Sequence, residues 1–177
     1  LTSIDLHENK VDDAGAALIA KALAFSRSLK MLRLSSNALT ANGAIALQQG
    51  ITKNATLTNI VLEQGSGTTS PGLYLPPLKG LEPAHSYDMN GMRFGPLTLE
   101  VLSRLITQYH PDMTHLRLDS NPVGNAGMAA ICEMLKTNDD IKELHMRYCG
   151  LGASGTQILA NALKANSSVE VVVIIGN

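Results

Sequence analysis

LKMLRLSSN, residues 29–37, places apolar side chains at its first, fourth and sixth positions and an asparagine at its ninth. In rows of 28 residues the same figure returns as LTSIDLHEN from Leu1, LTNIVLEQG from Leu57, MTHLRLDSN from Met113, IKELHMRYC from Ile141 and VEVVVIIGN from Val169. Alternation of apolar and polar residues over so short a span is the pattern of a strand with one buried face. The ninth position holds Asn9, Asn37, Asn121, Cys149 and Asn177. There the chain turns, and these side chains are expected to satisfy backbone groups as a structural ladder along the rows.

Each strand figure is followed by a second block: AGAALIAKAL from Ala14, NGAIALQQGI from Asn42, AGMAAICEML from Ala126 and SGTQILANAL from Ser154. Their apolar residues fall in the i, i+1, i+4, i+5 stripe of a helix that buries one face. Gly15, Gly43, Gly127 and Gly155 share one row position at the start of that helix. With LxxLxLxxN/CxL strands and Ala-rich helices in rows of 28, the chain resembles the leucine-rich repeats of the ribonuclease-inhibitor-like class. The resemblance spans residues 1–62, 84–112 and 113–177 and implies an α/β solenoid, a horseshoe with parallel strands on the concave face and helices on the convex face. Residues 1–177 are then one solenoid fragment of about six repeats plus a final strand.

The stretch EQGSGTTSPGLYLPPLKGLEPAH, residues 63–85, breaks this order with four prolines and four glycines. Proline disfavours a helical residue before it and removes an amide donor. Residues 63–83 are therefore expected to form an irregular segment that replaces the third row's helix with an extended crossing. Leu73, Leu75, Leu78 and Leu81 would fill the space left by that helix. The alternative makes GLYLPPLKGL a contact surface or hinge, with residues 65–70 mobile. The pattern resumes at Ala84, with Tyr87, Met89 and Phe94 in strand and turn positions and Val101, Leu102, Leu105 and Ile106 on the helix. The solenoid is expected to be distorted here and not cut.

Net charge is −1 and 45% of residues are hydrophobic, which gives no bias toward nucleic acid or an anionic membrane. The longest apolar run, VVVII at 171–175, is too short to span a bilayer. Cys132 and Cys149 have structural explanations, and without a cysteine cluster at either end an intracellular, cytoplasmic setting is expected. Val171, Val173 and Ile175 would lie exposed on the last strand, so further repeats or domains are expected in the parent chain. Asn54 and Asn166 match the glycosylation sequon but share a row position with Asn138. A helix-ending residue in left-handed geometry explains that position better.

Side chains at row positions 3, 5 and 7 should line the concave face. Across the rows these include Asp5 beside Arg33, Val61, Glu63, Asp88 beside Arg117, and Asp119 beside Arg147. Each such pair would be a solvated cross-strand ion pair. Arg33, Asp88, His115, Arg117, Asp119, Glu143, His145, Arg147 and Tyr148 form the candidate partner-binding set, since Arg and Tyr commonly anchor interfaces. His115, His145, Glu143 and Asp119 lie on two adjacent strands, but neither tight convergence nor hydrogen-bonding residues behind them point to a metal. No GxSxG, HExxH, CxxC or Walker-type stretch appears, so neither a cofactor nor an enzymatic activity is expected.

The expected function is that of a protein-interaction or scaffold module binding a macromolecular partner on the concave face. Two alternatives come from the resemblance. One is a GTPase-activating protein of the Ran-activator type, and the other is the ligand-sensing repeat region of an intracellular innate-immune-type receptor.

Overall fold

The computed structural model describes residues 1–63, 72–83, 85–109 and 112–177. The first half runs β1 (Ser3–Asp5), α1 (Asp13–Leu23), β2 (Met31–Arg33), α2 (Ala41–Lys53) and β3 (Asn59–Val61). A short strand β4 (Leu73–Tyr74) and a 3-10 turn (Pro77–Lys79) follow. The second half runs β5 (Ser86–Asp88), α3 (Pro96–Tyr109), β6 (His115–Arg117), α4 (Gly124–Leu135), β7 (Glu143–His145), α5 (Ala153–Ala165) and β8 (Val171–Val173). Strands β1, β2 and β3 pair in parallel with residues one row apart in register, Ile4 with Leu32 and Leu32 with Ile60. Strands β5 to β8 do the same, Tyr87 with Leu116, Leu116 with Leu144 and Leu144 with Val172.

Each three-residue strand has its middle residue turned to the helices, because the period of two sends alternate side chains to opposite faces. Leu32, Ile60, Leu116 and Leu144 are fully buried there. From the helix side Leu47, Ile51, Leu102, Leu105, Ile131 and Leu135 close the core. The chain can leave each strand sharply because row position 8 adopts left-handed backbone, at Glu8, Ser36, Ser120 and Tyr148 as well as at two glycines, Gly91 and Gly176. Just after it, Asn37 donates Nδ2 to the carbonyls of Leu6 and Leu34 and accepts from the Val11 amide. Asn121 repeats this with Met89, Leu118 and Phe94, and Asn177 with Met146, Ile174 and Cys149. In Cys149 the thiol points to the Leu118 carbonyl, at 3.1 Å.

A second series of asparagines ties the other edge of the rows. Asn54 donates to the carbonyls of Leu23 and Ser26 and accepts from the amides of Thr56 and Leu57. Asn166 does the same with Leu135, Asn138, Ser168 and Val169. The left-handed geometry expected for this position is not adopted: Asn54 and Asn166 have extended backbone, φ −97° and −94°. A stretched backbone lets one side chain serve the amides ahead of it and the carbonyls of the row before. Asn54 is 2% exposed with its amide nitrogen committed, so it is no acceptor for a glycan in the folded chain.

The helices are joined head to head by a third device. Asp13 accepts from the amides of Thr40 and Gly43 at the start of α2, and Asn125 from those of Gly152 and Gly155 at the start of α5. A Cβ on Gly43 or Gly155 would lie 2.5 Å from those acceptor oxygens, which explains the glycine in those two rows.

The third row departs from the others. Strand β4 runs antiparallel to β3, pairing Asn59 with Tyr74 and Ile60 with Leu73, so the strand layer divides into two four-stranded sheets. The distortion expected in this row takes the form of an antiparallel strand: β4 takes the edge of β3 that the next parallel strand would use, and among the described residues β5 pairs with β6 alone. The helix layer is not interrupted, since α3 packs directly on α2. Leu73, Leu75 and Leu78 are fully buried under this row, whereas Leu81 is 62% exposed and does not join them. Lys79 is 8% exposed and donates its ammonium to the Asn54 carbonyl at the end of α2. Burial holds its pKa below the ordinary lysine value, while the carbonyl end of the helix offers a favourable place for a cation. Residues 64–71, which include the whole stretch 65–70 expected to be mobile, lie outside the described residues.

Candidate functional site

The candidate residues divide between the two sheets. Arg33 stands on β2, in register with Asp5 and Val61. The expected Asp5–Arg33 pair is not formed, because Asp5 turns its carboxylate to the amide of His7, 3.0 Å away. Val61 is only 3% exposed, since Gly72 crosses over it: a Cβ on Gly72 would lie 2.7 Å from its Cγ2. The third row thus offers no open concave position at Val61.

Glu63 also leaves the concave set. Its carboxylate accepts from the amide and hydroxyl of Thr98, and from the backbone of Leu97 and Gly95, at the start of α3. These are the row positions that Asp13 and Asn125 serve elsewhere. Burial raises its pKa above the ordinary carboxylate value, and the hydrogen bonds from Thr98, Leu97 and Gly95 oppose that rise. A carboxylate at a helix N-terminus meets unpaired amides and a favourable dipole, so the residue acts as a cap across the missing helix.

The remaining candidates come together on β5 to β7. Asp119, just past β6, accepts from the backbone amide and from Nη1 of Arg147, both at 2.7 Å. Its own amide donates to Asn90 Oδ1 at 2.7 Å, and the Asn90 amide donates to Asp88 Oδ1 at 2.9 Å. Glu143 lies between two imidazoles, 3.2 Å from Nε2 of His145 and 3.6 Å from Nε2 of His115. The other nitrogen of His115 is 2.8 Å from the Thr114 hydroxyl, and that of His145 is 3.4 Å from Arg147 Nη1. Arg147 can only donate, so His145 Nδ1 accepts, leaving the Nε2 proton for Glu143.

This row is a fixed arrangement more than a source of stability. The Arg147 and Asp119 side chains keep 37% and 17% of their exposure, the regime in which ion pairs contribute about 0.2–1 kcal/mol. The second expected pair, Asp88 with Arg117, is not formed although the two are in register on β5 and β6. Asp88 serves the Asn90 amide instead, and Arg117 Nε is buried without a hydrogen-bond partner. Tyr148 stands apart in the left-handed turn after β7, 63% exposed with its ring against Gly176.

Other chemistry is sparse. Among the described residues no group of three His, Cys, Asp or Glu side chains is placed to hold a metal ion. Both cysteines are free and buried, and burial pushes the Cys132 thiol up to about 11. No described helix is long and apolar enough to cross a membrane. Sequence reasoning did not anticipate Asn90, Thr114 or the cap made by Glu63. Asn90 and Thr114 carry only generic polar signals, since their roles depend on which side chain stands one row away.

A family model described as Leucine Rich repeat matches residues 1–20, 25–47 and 109–132. Ribonuclease inhibitor of Sus scrofa is 27% identical over 179 residues, covering 100% of this chain and 33% of its own length. NACHT, LRR and PYD domains-containing protein 5 of Bos taurus is 29% identical over 171 residues, covering 92% of this chain and 15% of its own. The chain therefore spans about a third of the first relative and less of the second. A solved structure of leiomodin-1 actin-binding site 2 aligns with 98% of this chain and 69% of its own at 15% identity. Its TM-score is 0.33, a likeness too distant to carry an argument.

Proposed function

We propose, from the premise that this chain is a leucine-rich-repeat protein of the ribonuclease-inhibitor-like class, that it binds a protein partner through the concave face of β5 to β7. The observation that carries this is the row from Thr114 to Asn90. Its side chains are held in place by one another before any partner arrives, and Arg117 in their midst is left unpaired. Such an arrangement lowers the ordering cost of association and leaves a charged group able to anchor it. Arg33, on the other sheet, belongs to a separate part of the face. The chain acts here as a binding module and not as a catalyst, within a longer intracellular protein with further repeats or domains.

The relatives that carry NACHT and PYD domains favour one particular setting, the repeat region of an intracellular receptor of that architecture. Charge reversal tests the binding face in either setting. Arg117→Glu combined with Arg147→Glu abolishes capture of specific partners from source-cell lysate while leaving the thermal melt nearly unchanged. Capture that survives the double substitution moves the site off this face.

A further inference from the structure

We infer that the occupant of this face is a mixed-charge peptide segment, whose Glu or Asp carboxylate is received by Arg117 while a neighbouring Lys or Arg meets Asp88. The inference rests on the concave-face reading above and assigns the chemistry of the partner.

Charge accounting across the strands leads to it. Asp119 and Arg147 consume each other, and Glu143 is shared by His115 and His145. What remains in the centre is Arg117, directly in register with Asp88 on one side and His145 on the other. Parallel neighbours stand about 4.8 Å apart. Two opposite charges at that spacing ordinarily pair, yet here Asp88 is exposed and spends one oxygen on a backbone amide, while among the described residues the guanidinium has no ion pair and its Nε no hydrogen bond. Both are thus available to a ligand of opposite polarity at each position.

The geometry of the guanidinium narrows the class. Its Nε is buried without an acceptor, while its two Nη atoms are not among the buried unpaired groups. An incoming carboxylate meets the Nη end of the fork first. Rotation of the outer torsions then brings Nε out to make the side-on, bidentate contact that a carboxylate accepts and an ammonium or amide does not. A polyanion such as nucleic acid fits poorly, because Asp88, Asp119 and Glu143 surround Arg117 with carboxylates.

The test uses the nitrogen that the inference singles out. The Nε–Hε resonance of Arg117, identified by its loss in Arg117→Lys, is followed by NMR while an alternating Glu–Lys octapeptide is added. Parallel titrations use the matching Gln–Lys octapeptide, inorganic phosphate and single-stranded RNA. The expected result is a saturable shift with the Glu–Lys peptide alone. Its affinity, read for parent and variants alike by calorimetry, falls about tenfold in Arg117→Lys and is unchanged in Arg27→Gln, a substitution on the exposed loop before β2. Equal shifts with the Gln–Lys peptide, or stronger ones with phosphate or RNA, overturn the assignment. If charge reversal abolishes lysate capture but the Glu–Lys peptide leaves Arg117 unmoved, the binding face stands and the mixed-charge occupant falls. If capture also persists, both fall.

Discussion

At the scale of single residues, the asparagines that join rows are spent on backbone groups, and Glu63 does similar work with a carboxylate. Asn37, Asn54, Asn121, Asn166 and Asn177 each bond to the row beside them. Glu63 is the member whose ionisation can be tested. Burial holds its pKa above the unfolded value. It therefore adds stability that is fully present below the unfolded value of about 4.3 and is lost as pH rises through the folded value. Glu63→Gln removes this dependence. In urea titrations at pH 4 and pH 7, the stability of Glu63→Gln relative to the parent should rise between the two. A relative stability that falls over the same interval would mean that the hydrogen bonds from Thr98, Leu97 and Gly95 outweigh burial. The asparagine ladder was legible because its residue type recurs at a fixed row position. Glu63 was not, because the device it completes normally draws its acceptor from row position 13. In the third row that position is Thr69, and the acceptor comes from the strand end instead.

At the scale of elements, the third row shows what a sequence period does and does not specify. Its prolines announced the loss of a helix, and among the described residues only the turn Pro77–Lys79 remains. Leu73, Leu75 and Leu78 still fall at row positions where other rows place helix residues, and all three are buried. Strand β4 was illegible: two residues carry no periodicity, and antiparallel pairing is set by how the chain re-enters over Val61. Gly72 is the residue on which that re-entry turns. Its φ is +71°, and a Cβ there would lie 2.5 Å from the Ile60 carbonyl oxygen. Gly72→Ala should lower unfolding free energy by about 1–3 kcal/mol, with the loss read from chemical denaturation. A variant as stable as the parent would show that β4 does not hold the position described. The expected Asp5–Arg33 and Asp88–Arg117 pairs failed for a related reason. Register puts those residues side by side, but the backbone amides of His7 and Asn90 are the donors that the carboxylates accept from.

At the scale of the whole molecule, one continuous helix layer backs two separate sheets, and the sheets differ in what they offer. On the first, Val61 is covered and Glu63 is turned toward α3, so the concave face closes as it approaches the third row. On the second, the side chains from Asn90 to Thr114 remain on the surface in a fixed arrangement around an unpaired arginine. Repeat spacing alone made the solenoid and its strand face legible. It treated all rows as equivalent, and the inequality of the two sheets arises from contacts across the broken row. The most direct test of the binding face is photo-crosslinking in source-cell lysate, with a photoreactive residue placed at His115 on β6 or at Glu133 on the exposed side of α4. The account predicts that the same specific partner is trapped from position 115 and not from position 133. Trapping from position 133 alone would place the partner on the helices and contradict it.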